Sequence, residues 1–512
     1  MSNPLTRTKS VEQSMADTEE PGSQLKKSLT WWDLTVFGVS VVIGAGIFTI
    51  TASTAGDKAG PAISLSFVMA AIACALAALC YAEFASTVPV AGSAYTFGYA
   101  TFGEFLAWIL GWDLILEFAV GSAVVSKGWS SYLGTVFGFS GGTVEVAGLD
   151  VDWGALVIVT VITTLLVLGT KLSSTFSAVV TTIKVAVVLL VIVVGFFYIK
   201  ADNYKPFIPE SQPSDSGGKS VDSTLFSLIT GGGDSNYGWY GVLAAASIVF
   251  FAFIGFDVVA TTAEETKNPR KDVPRGILGS LAIVTVLYIL VTVVVTGMLN
   301  YKELATSAGD GEPKNLAYAF GENGVTWAEK VISIGALAGL TTVVMVLMLG
   351  QSRVLFAMAR DGLLPRGLSK TSKFGTPARI QIIVGVAVAV VAAFFPIDKL
   401  EEMVNVGTLF AFVVVAAGVI VLRKTRPDLQ RGFSVPWMPV IPILAIISCV
   451  WLMLNLSALT WIRFVIWMVI GVVVYFAYSQ RHSLVGKRER GEMSDEVGDA
   501  TRAANLEKRG EG

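Results

Sequence analysis

The sequence predicts an all-α membrane protein of twelve transmembrane helices, with helices 1 and 6 discontinuous. Three observations carry this. Twelve apolar stretches of membrane-crossing length recur between residues 33 and 479. Basic residues crowd into alternate connections between them. Glycines interrupt the first and sixth stretches at mid-depth. The composition agrees: 53% of the 512 residues are hydrophobic and only 15% charged, where a soluble domain carries about 25% charged residues.

Residues 1–30 are polar and mixed in charge, and read as a cytoplasmic N-terminal arm, disordered or loosely docked, with no cleavable signal before the first span. Trp31 and Trp32 then mark an interfacial entry. The expected spans are 33–56, 62–88, 97–124, 153–170, 174–199, 238–263, 276–299, 326–358, 379–396, 401–422, 437–457 and 461–479. Together they form one transmembrane domain over 31–480, followed by a charged cytoplasmic tail, 481–512. With the N-terminus inside, the inner connections hold Lys171, then Lys267, Arg270, Lys271 and Arg275, then Arg353 to Arg379, then Arg423 to Arg431. The outer connections lean acidic, so both termini are expected in the cytoplasm and the chain in the cell membrane as a multi-pass protein. The outer stretches 134–152, 200–237 and 300–323 read as loops, some of them outer lids. Arg360-Asp361-Gly362-Leu363-Leu364-Pro365-Arg366 reads as a helix end followed by a turn.

The net charge of −2 is segregated by loop, and nothing in it points to nucleic acid. Cys74, Cys80 and Cys449 all fall in apolar spans and read as small buried hydrophobes. His482, the only histidine, lies past the last span, which excludes His-based triads and zinc sites. No HExxH, GxSxG or phosphate-loop motif appears, so no enzyme, cofactor or metal is expected.

The first break falls in Ile43-Gly44-Ala45-Gly46-Ile47-Phe48. Each mid-helix glycine costs about 1 kcal/mol against alanine. Glycines also serve close packing of membrane helices. A second interruption, Phe250-Phe251-Ala252-Phe253-Ile254-Gly255-Phe256-Asp257, shifts the reading toward a ligand site. Paired interrupted spans in corresponding halves point to a site where freed backbone groups replace water around a bound molecule. Among the aromatics, Phe251 is a candidate thin gate.

Charges within the spans are expensive, about 2.5–3.5 kcal/mol for a lysine at this depth. Lys184 in the fifth span therefore needs a partner: it exchanges a proton or donates to carbonyls freed at the first break, or else serves as a static tether. Asp113 and Glu117 share one helix face, and Asp257 directly follows the second break. These acids bind a cationic group, relay a proton, or link helices. The charged stretch from Glu264 to Arg275 reads as a solvated inner loop or an inner gate of ion pairs.

Several motifs in order resemble the amino acid–polyamine–organocation superfamily of permeases, in a bacterial form of its cationic amino acid transporter branch. They are Val42-Ile43-Gly44-Ala45-Gly46-Ile47-Phe48, Tyr81-Ala82-Glu83-Phe84-Ala85, Pro89-Val90-Ala91-Gly92-Ser93-Ala94-Tyr95, and Phe253-Ile254-Gly255-Phe256-Asp257 running on to Glu264-Glu265-Thr266-Lys267-Asn268-Pro269. The resemblance implies a five-plus-five inverted repeat, the first repeat over about 31–199 and the second over about 238–422, with extra helices at about 437–479. It implies that a substrate carboxylate meets N–H groups at Gly44, Ala45 and Gly46. The ammonium would meet carbonyls at Ile43, Phe251, Ala252 and Ile254. Lys184 matches the lysine that replaces sodium in proton-linked members, and Glu117 and Asp257 match acidic positions of the branch. Thr341 and Thr342, with Gly339, would leave room for a longer side chain. The expected function is secondary active amino acid transport, proton-coupled or exchanging, with arginine, lysine and ornithine slightly preferred. A neutral amino acid or polyamine carrier and a non-transporting nutrient sensor stand as alternatives.

Overall fold

The computed structural model describes Arg7 and residues 28–88, 93–138, 142–146, 149–169, 174–213, 221–232, 234–306, 314–370, 372 and 376–489. Most of the arm 1–30, the motif residues 89–92, Lys171, Lys373 and the tail from 490 lie outside them.

Among the described residues the chain is almost wholly helical. Eight helical stretches are long and apolar enough to cross a membrane, and three shorter apolar helices accompany them. The main helices are α1 (Trp31–Val42), α2 (Ile63–Thr87), α3 (Ser93–Thr101), α4 (Glu104–Phe137), α5 (Trp153–Val167), α6 (Ser174–Phe196) and α7 (Gly238–Val249). After them come α8 (Pro269–Met298), α9 (Thr326–Arg360), α10 (Ala378–Phe394), α11 (Ile397–Thr425), α12 (Val440–Leu454) and α13 (Ala458–Val474). Thr30 opens α1 with a capping box: its side chain accepts from the Asp33 N–H, and Asp33 reaches back to Thr30.

Burial follows the inverted logic of a membrane protein. Ile382, Ile383, Val386 and Val390 on α10, and Val465, Ile466, Val469 and Val473 on α13, are exposed and present an apolar outer face. Inside, α4 packs along α9, and α8 lies against both α1 and α2. Small residues let the α1–α8 seam close: a Cβ on Gly276 would stand 2.5 Å from Leu34, and one on Gly38 would stand 2.5 Å from Ser280 Oγ. The last helix is pinned to α4 by indoles. Trp108 Nε1 donates to the Gly471 carbonyl at 2.8 Å, and Trp112 and Trp467 donate to each other's carbonyls at 2.9 and 3.1 Å.

Two expectations are corrected. The third span does not begin at 97: Gly103, at φ 101°, separates α3 from α4, a conformation open to glycine alone. The outer stretches are not plain loops either. Thr143–Val146 and Leu149–Asp152 form an antiparallel hairpin, β1 and β2. Its alternating Thr-Val-Glu-Val and Leu-Asp-Val-Asp pattern is a strand signal over too few residues to stand out. As expected, α9 ends at Arg360, with Gly362 at φ 81° in the turn beyond.

Candidate functional site

α1 stops at Val42. Ile43 is extended (φ −69°, ψ 91°), and helix resumes over Gly46–Ile50 with π-type bonding. In the later segment, α7 tightens into a 3₁₀ turn, Phe250–Phe253, then Ile254 is extended (φ −62°, ψ 138°) and Gly255 sits at φ 116° before Asp257–Glu265. The two irregular points touch. A Cβ on Gly46 would fall onto the Ala252 backbone, and one on Gly255 would lie 2.7 Å from Val41 Cγ1. Glycine is required at both positions, by contact at 46 and by contact and φ at 255. Ile43, Gly44, Ala45, Gly46, Phe251, Ala252 and Ile254 are thus brought together, all buried except the half-buried Ile254.

The groups released at these points are met mostly by side chains from other helices. Lys184 Nζ, on α6, donates to the Ser40 carbonyl at 2.6 Å. The Tyr288 hydroxyl of α8 donates to the Val42 carbonyl at 2.7 Å. Past the break, the Phe48 carbonyl accepts from the Tyr132 hydroxyl at 2.6 Å and from the Leu316 N–H at 2.9 Å. The Asn405 amide donates to the Ser247 carbonyl at 2.8 Å, at the last turn of α7. Such substitution for lost helix bonds is what permits irregular backbone at membrane depth.

Three carboxyls lie behind this junction. Asp113 and Glu117 on α4, and Asp257, are at most 3% exposed. Both Asp113 oxygens and Asp257 Oδ1 have no hydrogen-bond partner. The charged neighbour of Asp113 is Glu117, and that of Glu117 is Asp257. Thr408 is the hydroxyl beside Glu117, and Tyr81 lies close to all three acids.

Thr341 has its hydroxyl engaged by protein partners. Its hydroxyl donates to Leu337 and accepts from Trp129 Nε1 at 3.1 Å, so it serves the α9–α4 contact. Gly339 makes room for Lys184, whose Cγ would be 3.0 Å from a Cβ there. The residue of α9 nearest the first break is Val343, 3.3 Å from a Cβ built on Gly44. A turn away, Leu347 and Val404 flank Gly121 of α4. Sequence reasoning missed Tyr288, Tyr132, Leu316 and Val343; the one available signal was a lone tyrosine deep in an apolar run, at 288.

Further contacts flank the junction, and Leu316 belongs to one of the connections that reach it. Asp57 accepts from the Thr306 N–H and hydroxyl at 2.8 and 2.6 Å, and the Tyr237 hydroxyl donates to the Gly56 carbonyl at 2.5 Å. Elsewhere, the Ser28 and Leu29 N–H groups donate to the Glu265 carbonyl, and the Lys267 N–H to the Leu29 carbonyl. These contacts are backbone bonds.

Comparison with known proteins places this geometry. Residues 29–483 match the family model described as amino acid permease. The chain is 43% identical over 495 residues to the branched-chain amino acid permease BcaP of Bacillus subtilis, and 41% identical over 494 residues to that organism's methylthioribose transporter. Each alignment covers 94% of this chain and 99% of the relative. It is 37% identical over 435 residues to the vacuolar cationic amino acid transporter 4 of Arabidopsis thaliana, covering 83% of this chain and 68% of that protein.

Proposed function

The chain belongs to the amino acid permease family, and we propose that it is a secondary carrier of α-amino acids working by alternating access in the cell membrane. In this reading Trp31–Thr87 makes two passes and the three shorter apolar helices also cross, giving twelve, with both termini cytoplasmic. The first ten form the five-plus-five repeat, and Gly46 against Ala252 marks where its two broken helices meet. That contact carries the proposal, since it sets the irregular backbone of both segments around one point. The substrate carboxylate takes the N–H groups of Gly44, Ala45 and Gly46, at a helix start with partial positive charge. The ammonium takes carbonyls of Ile43, Phe251, Ala252 and Ile254.

Lys184 is the coupling group. A lysine held on the Ser40 carbonyl locks the inner half of helix 1 when charged, and releases it on losing its proton. Transport is therefore proton-linked or exchanging.

For the substrate side chain the favoured reading is neutral and aliphatic. Val343 beside Gly44, with Leu347 and Val404 about Gly121, offers apolar surface and no fixed counter-charge. A relative named as a branched-chain permease agrees. The cationic reading rests on Asp257 Oδ1, unpartnered just past the second break; a guanidinium or ammonium there would find its pair. Counterflow in proteoliposomes with labelled leucine, arginine and putrescine decides. Leucine exchange blocked by excess leucine but not arginine supports the first reading, and the reverse supports the second. Putrescine exchange would remove the α-carboxylate from the account, and binding without flux would make the protein a sensor.

A further inference from the structure

Three polar side chains run down one face of α11. Glu401, Asn405 and Thr408 follow one another at helical spacing, so they share that face, and they are only 6%, 0% and 0% exposed. Polar groups so placed in a membrane helix are expensive, and packing accounts for only part of them. The Asn405 amide donates to the Ser247 and Ile248 carbonyls at 2.8 and 3.3 Å, but its Oδ1 has no partner. Oγ of the same Ser247 is unpartnered too, and so is Glu401 Oε1. The Thr408 hydroxyl donates to the Val404 carbonyl at 3.1 Å, which leaves its oxygen free to accept.

The acid next in sequence is treated otherwise. Glu402 is turned to Ser457 and Thr460, whose hydroxyls both donate to its Oε2. Lys399 is held by Asp222 at 3.0 Å and by Asp398 at 3.6 Å. The charged groups that act on Glu401 are carboxyls of its own helix, Asp398 and Glu402. At the other end of the face, Thr408 stands beside Glu117 of α4, and a Cβ on Gly407 would lie 2.9 Å from Asp113 Oδ1. Asp257 also acts on Glu117, and α2 adds Tyr81, whose ring centre is 5.3 Å from that of Phe412 on α11. The unsatisfied oxygens thus step from the second turn of α11 to the acids behind the junction. The steps are about 6 Å and about 4.5 Å along the axis, each within the span of one water making two hydrogen bonds.

We propose that Glu401, Asn405 and Thr408 form a proton track that feeds Glu117 from the outer end of α11. The inference rests on the proton-linked, twelve-pass reading above, in which the tenth crossing starts outside. Glu401 is the entry acid, Asn405 Oδ1 holds the water that follows it, and Thr408 is the last relay. Each transfer moves one proton between oxygens. The Glu401 carboxyl gives its proton to that water, the water gives one to the Thr408 oxygen, and the Thr408 hydroxyl gives its own to the Glu117 carboxylate. Glu401 ends one proton poorer and Glu117 one richer, with water and threonine unchanged.

The test is proton entry into proteoliposomes that hold the full-length protein and trapped pyranine. Leucine and arginine are added together outside, and counterflow of the same two labelled amino acids at equal pH gives the reference rate. Glu401→Gln keeps the shape but carries no proton, and should slow lumen acidification relative to counterflow by about tenfold or more. Thr408→Val slows it as well, and Thr408→Ser restores it, a rescue that a packing role would not give. Glu402→Gln, turned away from the track, acidifies as the wild type does. Acidification at the wild-type rate in Glu401→Gln or Thr408→Val overturns the track while counterflow upholds the carrier. Equal slowing in Glu402→Gln overturns it too, since the start of α11 would then be disturbed at large. A wild type that exchanges substrate without acidifying the lumen removes the proton link and the track with it. One that exchanges neither amino acid removes the carrier reading itself, and the track falls with that.

Discussion

Two groups of buried acids, both within the helical bundle, are treated in opposite ways. Glu83 on α2 is buried and saturated. Arg423 grips it through Nε at 2.7 Å and Nη2 at 2.5 Å, Arg431 Nε stands 3.4 Å away, and the Val435 N–H donates at 2.7 Å. Asp113, Glu117 and Asp257 are as deeply buried but have only one another as charged neighbours. The first arrangement straps the connection between α11 and α12 onto α2. The second leaves bonding capacity open beside the broken helices. A saturated buried charge is spent on holding the fold, and an unsaturated one is kept where something must come and go.

The comparison breaks most visibly in stability. Removing one partner of a buried pair strands the other, at about 3–5 kcal/mol. Glu83→Ala is therefore expected to lower the melting temperature in detergent steeply and to cut the yield of folded protein. Asp113→Asn should leave melting unchanged or raise it, because a neutral amide is easier to bury than an unpaired carboxyl. If the two variants melted alike, the distinction between strap and open site would fail.

Next come effects on transport. Gly46→Val drives a side chain into the Ala252 backbone; uptake should be lost while the protein still folds, as seen by an unchanged size-exclusion profile. Asp257→Asn should retain near-native stability and slow proton-driven uptake by about tenfold or more, the scale of one charge-assisted contact. Lys184→Ala is expected to abolish stimulation of uptake by an inward proton gradient while sparing counterflow. Stimulation that survives in Lys184→Ala would move coupling wholly to the carboxyls.

How far this was legible in the sequence depends on the range of each interaction. Apolar spans and basic loops are local signals, and the helical bundle follows from them. The glycines at 46 and 255 stood out because glycine is costly within a helix, and the structure sets them against Ala252 and Val41. Glu83 was only a motif letter, since its partners lie some 340 residues away in a loop with no periodicity. Tyr288 on Val42 and Leu316 on Phe48 are likewise tertiary closures that no spacing encodes. Nor does any spacing encode the contact of the Thr341 hydroxyl with Trp129 across the α9–α4 seam.

The smallest expected effect lies between the two extremes, at an acid outside the spans that is satisfied by neutral donors. Asp234 accepts from the Thr224 N–H and hydroxyl, both at 2.9 Å, and from the Tyr240 hydroxyl at 2.7 Å. Partial burial pushes its pKa up, but these hydrogen bonds outweigh burial and hold the carboxyl below its ordinary value. A depressed folded-state pKa contributes stability above the unfolded value, and that contribution is lost as pH falls through the folded one. The bonds fix Thr224, which bridges to Ser457 ahead of α13. Hydrogen exchange in Leu225–Thr230, corrected for intrinsic rates, should therefore rise on acidification below about pH 4. In Asp234→Asn it should start slightly higher and show no such rise. A pH response that persists in that variant would put the titrating group elsewhere and leave Asp234 on the side of the passive strap.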